Sequence, residues 1–334
     1  KKPLFLALLT LLYIHPGYAQ TIDQVKLDKY FNVLEVGNKF MGSAAILKDG
    51  KIVYTKAIGF KSLADQHKAD IHTKYRIGSI SKTFTATLIL KAVEEKKISL
   101  SESISSYFPG IKNANKITLT QLLNHHSGIP NFTNNPDYLN WYTQKKSEQE
   151  LVKLIAASGS DFEPGTKAAY SNSNYVLLSY ILEKIYKMPY GRILNVKIVK
   201  PLGLKETLVG SKIASENNES YSYELKDEKW VLQPETDMSI PLGAGALVST
   251  PSDLSVFIYA LFNGKLISAE SVKKMQTLAG GYGLGLVQVP FYEQIGYGHG
   301  GGIDGFRSFL VYYPEDKVAV AYTSNGSNYD NNNV

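Results

Sequence analysis

The sequence predicts an α+β fold: an antiparallel sheet built from both chain ends, flanked by helices, with a mainly helical region inserted between them. Strand-like segments gather near the start and again in the last third, the middle carries helical periodicity, and an Asp-Gly pair separates the first two strand-like segments. The 334 residues, 44% hydrophobic and 20% charged, suffice for one large domain or two intimate ones and exclude a wholly disordered chain.

The first element is a targeting pattern. Lys1-Lys2 form a basic start, residues 4–14 are almost continuously apolar, and Gly17-Tyr18-Ala19 puts small residues where a signal peptidase reads. Residues 1–19 are therefore expected to be a bacterial-type signal peptide and 20–334 an exported domain, periplasmic or secreted. The apolar run is about half the ~20 residues a membrane span needs, so no membrane anchor is expected in the mature chain. Cysteine is absent, which removes disulfides, thiolate catalysis, cysteine metal sites and a lipoprotein anchor together.

Next comes a hairpin, residues 44–47 and 52–55 flanking Lys48-Asp49-Gly50-Lys51. Residues 79–95 lack Gly and Pro and are apolar over most of their surface, as a buried central helix would be. Helical pattern dominates residues 99–208, most clearly at 175–186. Residues 211–239 read as a polar surface excursion with one strand pair. Thr250-Pro251-Ser252-Asp253 opens a helix to Asn263. The last third reads as strands at 283–289, 306–313 and 318–323, the last two turned by Pro314-Glu315-Asp316-Lys317. The sheet part is thus expected at about 21–78 and 250–334, and the mainly helical part at about 79–249.

The formal charge of +6 is spread along the chain, with pairs such as Lys96-Lys97 and Lys145-Lys146 but no longer basic run, so no nucleic-acid surface is expected. With no cysteine, a covalent nucleophile must be Ser, Thr, Lys or a carboxylate. The chain contains no Gly-x-Ser-x-Gly, P-loop or His-Glu-x-x-His, and adjacent His125-His126 diverge on a helix or strand, reading as one structural and one exposed histidine. No metal and no cofactor are called for.

Ser79-Ile80-Ser81-Lys82, at the head of the buried helix, places an amine within reach of a hydroxyl at positions i and i+3. A helix N-terminus offers free N–H groups to an oxyanion, and burial lowers a lysine pKa until the amine accepts the serine proton. The motif is short, and Ser271-Val272-Lys273-Lys274 also matches it. Tyr170-Ser171-Asn172 offers a phenol, which a lysine ammonium would push toward phenolate, and a carboxamide to hold Lys82 and a substrate carbonyl; Tyr138-Leu139-Asn140 has the same form. His299-Gly300-Gly301-Gly302 offers a glycine-lined strand edge with a backbone N–H for a carbonyl oxygen, and His126-Ser127-Gly128 repeats its bare pattern.

Order and context decide among these. Ser79, Tyr170 and His299 follow one another, with Leu122-Leu123-Asn124-His125-His126-Ser127-Gly128, Phe162-Glu163-Pro164-Gly165-Thr166, Pro201-Leu202-Gly203-Leu204 and Gly245-Ala246-Leu247-Val248-Ser249-Thr250 between and around them. This arrangement, from about Val33 to Asn325, resembles the serine β-lactamase and penicillin-binding-protein family, in the branch related to class C β-lactamases, D-alanyl-D-alanine carboxypeptidases and esterases. The resemblance implies a β-lactamase/transpeptidase-like fold, with Ser79 as acylated nucleophile, Lys82 as its activator and Tyr170 as general base. It further implies Asn172, His299 and Gly301 as substrate-binding residues, and an oxyanion hole from the N–H groups of Ser79 and Gly302.

Two departures qualify it. His299 stands where β-lactamases carry the lysine of Lys-Thr-Gly, a weaker and pH-dependent cation for a substrate carboxylate. The chain also ends soon after the last strand, where the family usually adds a helix on the sheet, so that helix is expected to be missing and part of the sheet face bare. The function expected is an exported serine hydrolase acting through an acyl-enzyme on esters or small amides such as D-amino-acid peptides, of carboxypeptidase or esterase type. The expected partner is a small-molecule or peptide substrate, cell-wall fragments included. The alternatives are a β-lactamase in the narrow sense and, from another class, a non-catalytic binder of cell-wall fragments.

Overall fold

The computed structural model describes residues 22–329. The signal-peptide reading of residues 1–19 and the expectation about a helix beyond the last strand fall outside them.

The first hairpin pairs strand β1 (Phe40–Lys48) with β2 (Lys51–Ile58), Lys48 standing opposite Lys51. Asp49 and Gly50 take φ of 50° and 80°, the paired left-handed residues that match the turn to the strand twist. The C-terminal third supplies β3 (Val287–Phe291), β4 (Gln294–Ile303), β5 (Phe306–Tyr313) and β6 (Val318–Ser327). The six form one antiparallel sheet in the order β3-β4-β5-β6-β1-β2, so the N-terminal hairpin joins the C-terminal strands where β6 meets β1.

Alternation along the strands divides the sheet into two faces. Leu47, Leu310, Tyr312, Ala319 and Ala321 turn toward the helical core, where the two alanines let the helix Pro251–Phe262 approach closely. Phe40, Ala44, Tyr54, Ile58 and Tyr322 turn the other way and bury against Phe31 and Leu34 of the helix Gln24–Val36.

The central helix, Ser81–Glu94, is walled in on every side: Lys82 through Leu90 have no exposed surface. Its buried hydroxyls find carbonyls on crossing segments, Thr83 donating to Gly285 at 2.8 Å and Thr85 to Gly243 at 2.7 Å. Phe84 stacks face to face on Phe257, ring centroids 3.6 Å apart and 10° from parallel, joining this helix to the sheet-covering one. Phe84→Ala is therefore expected to cost about 3–5 kcal/mol, read as a lowered urea midpoint at unchanged slope. A loss below about 1 kcal/mol would mean that the neighbours collapse into the space.

The strands at 306–313 and 318–323 and the strand pair within 211–239 (Tyr223–Lys226 with Lys229–Leu232) form where the sequence places them. Other readings are corrected. Residues 283–286 do not begin a strand: Gly285, at φ 71°, turns the chain onto the central helix, and pairing starts only at Val287. β4, with five glycines and no apolar alternation, had no strand signal of its own. Ala269–Gln276, inside the part read as strands, is a helix capped by Ser268, and the second Ser-x-x-Lys match lies on it, Ser271 hydrogen-bonded to Glu94 at 2.6 Å. Finally, the 211–239 excursion is not only surface, since Thr236 and Met238 are buried and its end returns to wall the cleft described next.

Candidate active site

Ser79 lies in a single 3-10 turn, Gly78–Ile80, that runs into the central helix, rather than in the α-helix itself. Three residues per turn eclipse positions i and i+3, which sets Lys82 directly over Ser79. Lys82 Nζ is 3.0 Å from Ser79 Oγ, and its other neighbours are two pure acceptors, Asn172 Oδ1 and the Ala244 carbonyl, each at 2.7 Å. Tyr170 donates to Ser79 Oγ at 2.6 Å. Asn172 opens the helix Asn172–Tyr186; its N–H donates to Asn131 Oδ1 at 3.0 Å, fixing the side chain that faces Lys82.

Protonation follows from burial. Desolvation pushes the Lys82 amine well below the ordinary lysine range, and pushes the Tyr170 phenol up to about 12 despite the Ser79 hydrogen bond. Burial thus favours the uncharged amine at Lys82 and the neutral phenol at Tyr170, whereas the sequence reading had a lysine ammonium favour the phenolate. A neutral amine has two N–H bonds and one lone pair. In that form, with N–H bonds to Asn172 and Ala244, the amine would turn its lone pair to the Ser79 hydroxyl.

His299 sits on β4 with its ring centroid 6.4 Å from that of Tyr170. Its Nδ1 is 2.6 Å from the Gly300 carbonyl, so Nδ1 carries the proton and Nε2 is the acceptor. Burial and then Lys82 push His299 down to about 4, so it is neutral at pH 7, not the partial cation the sequence suggested. Beyond it the β4 backbone runs against the Ile77-Gly78 bend. A Cβ on Gly78, at φ 49°, would lie 2.7 Å from the Gly302 nitrogen, and one on Gly301 would strike the Ile77 carbonyl. Ser79 and Gly302 both line the cleft beside this close approach.

Several contributors had no sequence signal as site residues. His125, in a left-handed conformation at φ 62°, packs against Tyr170 with ring centroids 4.6 Å apart and planes tilted by 36°, and accepts the Ser171 N–H at 3.2 Å, while half-buried His126 faces the Asn124 carbonyl. Tyr282 meets His125 edge-on at 4.9 Å, and Ala244 contributes only a backbone carbonyl. The cleft over Ser79, about 380 Å³, has an aromatic wall of Phe132, Tyr138 and Tyr142, faced by Gln233, Pro234 and Ile303. Tyr138, from the second Tyr-x-Asn match, is thus a cleft wall rather than a base.

Both histidines are neutral in the fold, His125 being pushed down to about 2 by burial first and Lys82 second. Below about 6.5 the unfolded chain binds these protons and the folded one does not, so stability falls with pH, by at most about 1.4 kcal/mol per unit for each histidine. His299 contributes from about 6.5 down to about 4, and His125 continues lower. Urea midpoints from pH 7.5 to 4.5 are expected to fall less steeply in His299→Gln than in the wild type; parallel curves would place the acid sensitivity elsewhere.

Serine, lysine, tyrosine and a glycine-lined strand edge converging on one cleft prepare a hydroxyl for acyl transfer. The Beta-lactamase family profile matches residues 38–333. This chain belongs to the Beta-lactamase family. It is similar to penicillin-binding protein 4* of Bacillus subtilis (strain 168), with 28% identity covering 90% of this chain and 71% of that one. It also resembles the teichoic acid D-alanine hydrolase of Staphylococcus aureus, with 27% identity over 88% and 72% of the two chains. Among solved structures, the D-stereospecific amidohydrolase from a Streptomyces species superposes with a TM-score of 0.78 and 29% identity, covering 92% of this chain and 95% of that one. The protein is a serine hydrolase of the Beta-lactamase and penicillin-binding-protein family, and its mixed fold is that of the β-lactamase/transpeptidase structures. Among the described residues, no helix is long and apolar enough to cross a membrane.

Proposed function

We propose that the protein is an exported hydrolase that cleaves small amides or esters, D-amino-acid derivatives among them, through an acyl-enzyme on Ser79. The observation that carries this reading is the Lys82 amine, held by Asn172 Oδ1 and the Ala244 carbonyl at 2.7 Å each and set 3.0 Å from Ser79 Oγ. Ser79 Oγ attacks the substrate carbonyl as its proton passes to Lys82 Nζ. The N–H groups of Ser79 and Gly302 receive the developing oxyanion. Tyr170 then gives its phenol proton to the leaving amine or alkoxide, and the Lys82 ammonium restores it. Water entering along the leaving-group path reverses these transfers and frees Ser79. Asn172 orients Lys82, and the β4 edge at His299 and Gly301 aligns the substrate. The likeness to the D-stereospecific amidohydrolase and the teichoic acid D-alanine hydrolase supports the D-amino-acid preference, and the leader pattern in residues 1–19 supports export.

The test is intact-mass analysis after brief incubation with a short-chain activated ester. One acyl group per chain, mapped to the peptide containing Ser79, is the expected result. A folded protein that acquires none would overturn the reading in favour of a non-catalytic binder.

A further inference from the structure

Resting on the hydrolase reading, we propose that the site takes substrates whose leaving group is uncharged — carboxamides, esters and amidated peptides — and discriminates against leaving groups that bear a carboxylate. Among the described residues, no lysine or arginine lines the cleft over Ser79, and its single charged lining residue is Asp304. That carboxylate binds Arg76 at 2.7 Å and accepts from the Thr236 N–H and hydroxyl at 3.0 and 2.6 Å.

Among the described residues, the neighbouring cations stand outside the cleft lining. Arg76, whose side chain is 1% exposed, spends its guanidinium on Asp304, Glu235 and the Ser211 and Thr236 carbonyls. Lys82 lies behind Ser79 with its N–H bonds taken. Arg307, opposite Gly302 on β5, donates to the Phe306 and Asp304 carbonyls and does not line the cleft. His299 offers only the Nε2 lone pair. A carboxylate entering here would give up hydration with no cation to replace it.

A neutral amide meets a different surface. β3 stops pairing at Gly298, opposite Val287, so β4 from His299 to Ile303 keeps one edge that β3 does not cover. Such an edge recognises an extended amide through backbone hydrogen bonds, which need no charge.

The experiment compares two acetate esters, of 3-hydroxybenzamide and of 3-hydroxybenzoic acid, which differ by a carboxamide against a carboxylate on the leaving group. After division by their hydroxide-catalysed rates, kcat/KM is expected to be at least tenfold higher for the carboxamide ester. A ratio near one, or in favour of the carboxylate, overturns the inference while leaving Ser79 acylation and the hydrolase reading intact. If neither ester acylates Ser79, the hydrolase reading fails and the inference with it. In His299→Lys, which sets an ammonium in the same slot, the ratio is expected to fall at least threefold; an unchanged ratio in folded variant would remove His299 as its cause. Should that variant not fold, the wild-type ratio alone decides.

Discussion

Ser79→Ala is expected to lower kcat toward an activated ester by about 10⁴-fold or more and to abolish acylation, because the hydroxyl lies between the Lys82 amine and the Tyr170 phenol and opens on the cleft. Its neighbours set the scale of the effect on folding. Ser79 is partly open to the cleft, so a water can take over the contacts to Tyr170 and Lys82, and the urea midpoint should move by no more than about 1 kcal/mol equivalent. Residual turnover would come from the oxyanion site and binding alone. Steady-state kinetics beside a thermal melt make the check, and turnover within tenfold of wild type in a folded variant would remove Ser79 as nucleophile.

Lys82 gives the second large effect, and two replacements separate charge from proton acceptance. Lys82→Arg supplies a permanent cation with no lone pair at neutral pH, and Lys82→Met keeps length without charge or proton chemistry. Both are expected to lower the single-turnover acylation rate by about 10²–10⁴-fold, the usual range for a lost general base. Their stabilities should diverge. Met fills the same buried volume with no amine to desolvate, though it leaves Asn172 Oδ1 and the Ala244 carbonyl without a donor, so its midpoint should stay within about 1–2 kcal/mol of wild type. Arg forces a permanent charge into a site with no exposed surface and no carboxylate partner, and should be clearly less stable. An arginine variant that acylates within tenfold of wild type would show that a positive charge, not a neutral amine, activates Ser79.

The parts of the fold that were legible in the sequence are those whose signal is local. Asp49-Gly50 dictates its own turn through backbone sterics, and the helices at 81–94 and 172–186 announce themselves through apolar periodicity and the absence of breakers. The parts that were not legible lack such a signal. In Gln24–Val36, Val25, Val33 and Val36 are exposed, so the apolar residues do not mark the buried face. β4 becomes a strand because β5 pairs with it and glycine alone fits beneath the Ile77-Gly78 bend. In the site, Ser-x-x-Lys, Tyr-x-Asn and the glycine run were readable as residue types in order, whereas His125 and Tyr282 packed on Tyr170, and the Ala244 carbonyl on Lys82, were not. Those contacts join segments far apart in the chain, and one of them uses backbone that every residue possesses.

By itself the sequence determined which chemical groups are available: a serine, a lysine three residues on, a tyrosine with its asparagine, and a histidine leading glycines, with no cysteine to compete. Only the tertiary structure decided their protonation and therefore their roles. Burial shifts Lys82 toward the uncharged amine, holds Tyr170 as a phenol and keeps His299 uncharged at neutral pH. The physical reason is that a residue's type sets its pKa in water, while its ionisation in the protein depends on how much water and which dipoles surround it, and distant segments supply those.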